Sequence, residues 1–479
     1  MPSFETIIGL EVHAQLQTKS KMFCGCSTRF GSAPNTQVCP VCLGLPGALP
    51  VVNVKAVEAA VKMGLATGCT VARRSVFARK NYFYPDCPKN YQISQYEHPL
   101  CSNGFLHVEG GEKRIGITRV HLEEDAGKLI HLEGDDHSYA DMNRVGVPLI
   151  EIVSEPDIRS PRQAASYMQK LRTIVRYLEI CDGNMEEGSL RCDVNVSLRK
   201  KGSDKFGTKT EVKNLNSFKA VEQALEFEIE RQARLLGEGR KIQQDTLLWD
   251  SVKGESQIMR SKEEAHDYRY FPEPDLLVLD IPESLIQRVD TEIPELPDAK
   301  LDRFVSDLGL PKYDAEVLTS SREIAGYFEA TAKELGDAKA VSNWVMGEVL
   351  RELKDKKIDI SQFKILPRQL AALIAEVQSG GINMPTAKDV FRDMAGTGNE
   401  AKDIIEKKGL KQISDEGALD AVVVSVLDNY PQEVAKYLAG KDKLLKFLVG
   451  QVMKETRGKA HPQKATDLLK EALEKRRGS

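Results

Sequence analysis

Apolar and polar residues alternate along four separate stretches in the first half of the chain. Between Ile7 and Leu16 the even positions Ile8, Leu10, Val12, Ala14 and Leu16 are apolar, while Glu11, His13 and Gln15 take odd positions. A period of two puts the two sets on opposite faces of a half-buried strand. Ile115–Glu124 is strand-like and ends in Val120-His121-Leu122-Glu123-Glu124. Leu190, Cys192, Val194, Val196 and Leu198 interleave with Arg191, Asp193, Asn195, Ser197 and Arg199. Thr208–Val212 repeats the pattern, aligning Lys209, Glu211 and Lys213. Pro272, Pro274, Pro282, Pro294 and Pro297 then punctuate the chain, and such a run fragments any helix. Beyond Asp298 the period becomes helical. Ser320 and Glu323 have capping-box spacing, Ile324, Tyr327, Phe328 and Leu335 follow, and Val341, Trp344, Val345, Val349 and Leu353 make a second apolar stripe. The Gly396-Thr397-Gly398-Asn399 stretch loosens the chain again. The pattern predicts an α+β protein with three parts: residues 1–292 carrying the strands, an all-α domain over 293–405, and a small helical tail over 406–479.

Composition narrows the class. A length of 479 residues suggests about three domains and a core that needs no disulfide staples. Apolar runs such as Ala421–Leu427 are far short of the roughly 18 residues of a membrane span, so no membrane association is expected. The N-terminus has no basic segment leading into an apolar one, which predicts no secretory signal. Nine cysteines, an odd count, fit a reducing, cytoplasmic setting better than a paired secretory framework. Charge is nearly balanced, with 67 Lys and Arg against 71 Asp and Glu, so nucleic-acid binding would need a local patch. One candidate is Gln432–Ser479, with twelve Lys and Arg against six Asp and Glu. That charge is consistent with either a solvated helical face or a phosphate-contacting patch.

Reactive residues are concentrated early: all nine cysteines lie between Cys24 and Cys192, and seven of eight histidines between His13 and His266. Cys24-Gly25-Cys26 and Cys39-Pro40-Val41-Cys42 pair at the two ends of a short loop. Four thiolates so placed suit zinc, and with no open coordination position the site is expected to be structural. A redox pair or unrelated core cysteines are the competing readings. Cys69, Cys87, Cys101, Cys181 and Cys192 have no such spacing and are expected to be ordinary.

If the four alternating strands share one sheet, their polar faces form a wall of Glu, Asp, His, Lys and Arg. Oxygen ligands with one imidazole suit Mg²⁺, and basic residues beside the ion suit a transferring phosphoryl group. The chain holds no Walker A motif, no Rossmann glycine fingerprint and no nucleophile elbow. Spacing alone therefore points to Mg²⁺-dependent phosphoryl or acyl chemistry on a sheet that is not of the P-loop kind.

Several longer motifs are more specific. They are Ile8–His13, Arg79–Asp86, Pro148–Asp157, Met185–Asp193, Lys213–Ser217 and Asp267–Asp275. On these the chain resembles the B subunit of the aspartyl/glutamyl-tRNA(Asn/Gln) amidotransferase, essentially from end to end. The resemblance implies an N-terminal cradle built on an antiparallel sheet, related to glutamine synthetase and guanidino kinases, followed by a helical domain and a tail that helps hold tRNA. It implies a heterotrimer in which the A subunit hydrolyses glutamine, the small C subunit ties the other two together, and ammonia reaches the B subunit through an internal tunnel. There ATP would activate the side-chain carboxylate of mischarged Glu-tRNA(Gln) or Asp-tRNA(Asn), and ammonia would displace the phosphate. The family's metal positions match Glu11, His13, Glu123 or Glu124, Asp193 and Glu211 here. We expect Glu11, Glu124, Asp193 and Glu211 as ligands, with His13 as ligand or neighbouring base. Lys89, Arg191 and Lys213 are expected at the phosphate or at the tunnel mouth. Two other readings compete: a tRNA-binding scaffold without its own chemistry, and a zinc hydrolase. The second is disfavoured because four thiolates would close the zinc shell.

Overall fold

The computed structural model describes residues 4–132, 134–261, 268–410, 416–456, 460 and 462–477. Asp267 of the Asp267–Asp275 motif lies outside them. The chain forms two compact units, Met1–Pro297 and Asp298–Ser479.

The first unit is built on nine strands: β1 (Phe4–Gln15), β2 (Thr70–Val71), β3 (Cys101–Val108), β4 (Lys113–Glu124), β5 (Pro148–Ser154), β6 (Leu190–Lys200), β7 (Thr210–Lys213), β8 (Asp245–Asp250) and β9 (Glu255–Ser261). They form one sheet in the order β9-β8-β7-β6-β1-β5-β4-β3-β2. Every neighbouring pair is antiparallel except β7 and β8. All four alternating stretches therefore enter the same sheet. β5 lies between β1 and β4, a neighbour the alternation did not reveal: Leu149, Ile150, Ile152 and Val153 make it almost uniformly apolar.

Helices cover one face of this sheet. Ile8, Leu10, Val12 and Ala14 are fully or almost fully buried, in one core with residues of α1 (Val54–Ala66), α2 (Pro161–Tyr177) and α3 (Phe218–Gly237). α2 starts where Ser160 accepts a hydrogen bond from the Gln163 N–H at 3.2 Å, with Pro161 in the first turn. Its Ala164, Tyr167, Met168, Leu171, Ile174 and Val175 recur at helical spacing and are buried. Ser217 caps α3 in the same way, accepting from Ala220 N–H at 3.0 Å. The odd positions of β1, on the other face, carry the polar side chains. Ala78–Asn81, Tyr91–Ser94 and Phe271–Pro272 form a separate three-stranded sheet, joined to β4 where the Ile93 N–H donates to Glu124 Oε1 at 2.9 Å.

The second unit is helical and contains two hydrophobic clusters. One spans Phe304 to Ile405 and the other Leu419 to Leu473. Val341, Trp344, Val345, Val349 and Leu353 are all buried, and the stripe passes through a π-turn at Val345–Val349. Ser321, rather than Ser320, caps helix Arg322–Leu335, accepting from Ile324 N–H at 3.4 Å. Ser320 instead donates to the Val317 carbonyl at 2.6 Å and closes the preceding turn. Among the described residues no helix is long and apolar enough to cross a membrane.

Candidate active site

Register determines which polar side chains meet. In antiparallel pairing, residues directly opposite one another share a face. His121 of β4 faces Glu151 of β5, Glu151 faces His13 of β1, and His13 faces Arg191 of β6. In the next row Glu11 faces Asp193, and beyond it Asn195 faces Glu211 of β7. The side chains converge. His13 Nε2 lies 3.3 Å from Glu151 Oε2, 3.4 Å from Glu123 Oε1 and 3.7 Å from Glu11 Oε1. Two sets of ligand atoms each lie within 4.8 Å of one another: Glu11, His13 and Asp193, and His13, Glu123 and Glu151. His13 belongs to both.

Cations border the acids. Lys213 pairs with Asp193 and lies 3.2 Å from Glu211 Oε1. Arg119 approaches Glu151 at 3.6 Å. Arg191 is engaged elsewhere, at 3.0 Å from Asp125 Oδ1, and Gln15 donates to the other Asp125 oxygen at 2.7 Å. Lys80 reaches in from the small sheet. These groups line one cleft of about 620 Å³, which also takes in Tyr96, Tyr268 and Tyr270. Tyr96 and Tyr270 stack with centroids 4.2 Å apart.

Crowding shifts the protonation equilibria. Burial alone would lower the His13 pKa, but the hydrogen bond to Glu151 and the charges of Glu151, Glu123 and Glu11 outweigh it and raise it to about 9. Burial and the neighbouring Glu151 charge raise Glu123 to about 7. Burial, reinforced by Glu151, also raises Glu11. Burial opposes ionisation of Glu151 as well, yet the charges of His121, His13 and Lys80 and the His13 hydrogen bond hold its carboxyl well below the usual range. Burial lowers His121 to about 4. Buried acids and bases held this close form a poised polar site rather than a solvated strand face.

Of the residues expected from sequence, Glu11, His13, Glu123, Asp193, Glu211, Arg191 and Lys213 all line this cleft. Glu124 and Lys89 do not. Successive strand residues point to opposite faces, so with Glu123 turned inward Glu124 turns away. It pairs with Lys89, and both line smaller hollows, one of them beside Cys24 and Cys42. Glu151, His121, Lys80, Asp125 and Tyr270 were not among the expected residues. For Glu151 there was a signal: a lone acid inside the apolar run Leu149–Val153, a position that carboxylates occupy only when paired.

The four cysteines come together away from the wall. Their sulfurs lie within 4.8 Å of one another, and the Cys39 N–H donates to Cys42 Sγ at 3.1 Å. The Cys24 thiol hydrogen bond, chiefly, lowers Cys42 to about 5 against the effect of burial, helped by the Cys39 N–H and the charge of Lys21. Burial raises Cys26 to about 11. A converging set of four thiols can bind a metal, and its all-sulfur chemistry suits zinc or another thiophilic ion.

The model of the GatB/GatE catalytic domain matches residues 6–287, and that of the GatB domain matches residues 326–473. The chain belongs to the GatB/GatE family. A protein of Thermodesulfovibrio yellowstonii, named as the B subunit of an aspartyl/glutamyl-tRNA(Asn/Gln) amidotransferase, is 56% identical over 468 residues, 97% of this chain and 98% of its own length. Proteins of the same name from Pelodictyon phaeoclathratiforme and Chlorobium phaeobacteroides are each 55% identical, over 473 and 474 residues. Those alignments cover 98% of this chain and 99% and 100% of the relatives. The catalytic-domain match spans every cleft residue from Glu11 to Tyr270 as well as the four cysteines.

Proposed function

We propose that the chain is the carboxylate-activating subunit of a cytoplasmic glutamine-dependent tRNA amidotransferase, a ligase forming a carbon–nitrogen bond. It works with a glutaminase partner, the A subunit, and with the small C subunit, on mischarged Glu-tRNA(Gln), Asp-tRNA(Asn) or both. The observation that carries this reading is the position of His13, within 3.3–3.7 Å of three acids, in a cleft also lined by Lys80, Arg119 and Lys213.

The chemistry requires such a wall. A carboxylate cannot exchange oxygen for ammonia directly, because oxide would have to leave. Transfer of the γ-phosphoryl of ATP onto the side-chain carboxylate gives an acyl phosphate and ADP. Ammonia released from glutamine then displaces phosphate and leaves the amide. Glu11, Glu123, Asp193 and Glu211, with His13 and Glu151, are oxygen- and imidazole-rich enough to hold Mg²⁺. A bound Mg²⁺ would supply positive charge beside the phosphates of ATP. Lys213 and Arg119 stand where they can neutralise phosphate oxygens. Arg191, held by Asp125, stiffens the wall. We read the sheet with its polar face as a cradle of the glutamine synthetase and guanidino kinase type, residues 293–405 as a helical domain, and 406–479 as the part that holds tRNA. The four cysteines form a structural zinc site in this reading.

The test is Asp193→Asn and Glu11→Gln in the reconstituted complex. Amide formation and tRNA-dependent ATP hydrolysis should be lost while glutamine is still hydrolysed. Full amidation by both variants would reject the proposal. A scaffold without chemistry is disfavoured, since an acid wall repels RNA phosphates.

A further inference from the structure

Among the described residues, Lys21 stands out as a buried cation. It is fully buried and sits in the loop that leads from β1 to Cys24. Its ammonium donates to the Gln37 carbonyl at 2.7 Å and the Met142 carbonyl at 3.5 Å, and reaches Cys42 Sγ at 3.7 Å. None of these three acceptors is a carboxylate. Its own backbone N–H donates to the Cys26 carbonyl at 2.9 Å. One residue thus touches both halves of the cysteine set, Cys26 through its main chain and Cys42 through its side chain.

An ammonium removed from water is costly unless a charge or strong acceptors offset it. Four thiolates around a divalent ion carry a net charge of −2, in a partly buried loop. Each group supplies what the other lacks. We propose that Lys21 is the charge-balancing and positioning residue of a thiolate metal site, donating an N–H···S hydrogen bond to Cys42 and offsetting part of the cluster's negative charge. This rests on reading the four cysteines as a zinc site and is independent of the chemistry at His13. Residues that hydrogen-bond a metal's ligands orient them, and losing one typically weakens metal binding about 10–100-fold.

The test uses the full chain. Zinc affinity is measured by competition with a chromophoric chelator for the wild type and for Lys21→Met, which keeps the aliphatic volume. Cobalt(II) is loaded in parallel, and its thiolate charge-transfer band is recorded. We expect an affinity loss of about 10–100-fold and a displaced band in Lys21→Met. Equal affinity with an unchanged band would overturn the proposal and leave Lys21 as packing. Should Lys21→Met fail to fold, Lys21→Gln, which keeps an N–H donor without the charge, tests the charge balance alone: weaker zinc binding with a displaced band supports it, and equal affinity with an unchanged band overturns it. A wild type that takes up no zinc and shows four freely titrating thiols would overturn the zinc reading itself, and this inference with it.

Discussion

His13 and Glu151 face each other across β1 and β5, with Nε2 and Oε2 3.3 Å apart. Through this pair the two metal-competent sets share one imidazole, and Glu151 is further flanked by His121 at 3.7 Å and Arg119 at 3.6 Å. Glu151 is the acid on which the wall's cations converge. Glu151→Gln keeps the shape and removes that charge. Amidation of mischarged tRNA by the complex should fall on the order of 100-fold or more, with glutamine hydrolysis retained. A rate within about twofold of wild type, far below the loss expected of a preorganised charge, would show that the pair plays no part in the chemistry.

Glu124 and Lys89 form a separate, almost wholly buried ion pair. Removing one member of such a pair strands the other charge, so Glu124→Leu should destabilise the first unit by about 3–5 kcal/mol. Lys89→Met combined with Glu124→Leu should cost clearly less than the two single changes together. Urea unfolding of the four variants measures the coupling. The Ile93 amide, which donates to Glu124, should lose hydrogen-exchange protection in the single variant. Strict additivity would argue that the pair is not formed.

Metal analysis of the purified chain should find about one zinc, a closed four-thiolate site taking a single ion. Cys42→Ser or Cys26→Ser should bring that value close to zero, and a strong chelator should expose four thiols to a thiol reagent. A folded, metal-free wild-type chain would contradict this.

The basic tail has its own core, in which Leu419, Val423, Val426 and Leu427 pack with Leu448, Val452, Leu469 and Leu473. A cut at residue 432 would expose helix Glu416–Asn429, so the clean truncation ends at Leu410. In the complex, that deletion should raise the KM for tRNA on the order of tenfold or more through lost phosphate contacts, with the KM for ATP unchanged. An unchanged tRNA KM would remove the tail from recognition.

Much of this molecule could be read from its residue order. Local period distinguishes a strand from a helix, because side chains repeat about every 2 residues in one and about every 3.6 in the other. β1, β4, β6 and β7 were legible for that reason, as were the helices after Asp298. The cysteine pairs were legible because short loops bring near neighbours together whatever the rest of the fold does. Glu11 and His13 were legible as residues of one face.

Folding in three dimensions settled the rest. Alternation says that Glu123 and Glu124 face opposite ways, but not which of them faces the wall. Nor does it say that β5 slips between β1 and β4 and brings Glu151 to His13 from far along the chain. The sequence offered Lys89 for the phosphate or the tunnel mouth, and only the fold shows that it pairs with the buried Glu124. Strand order and register arise from long-range pairing and from the helices that claim one face of the sheet. Spacing along the chain carries no information about which distant strand becomes a neighbour.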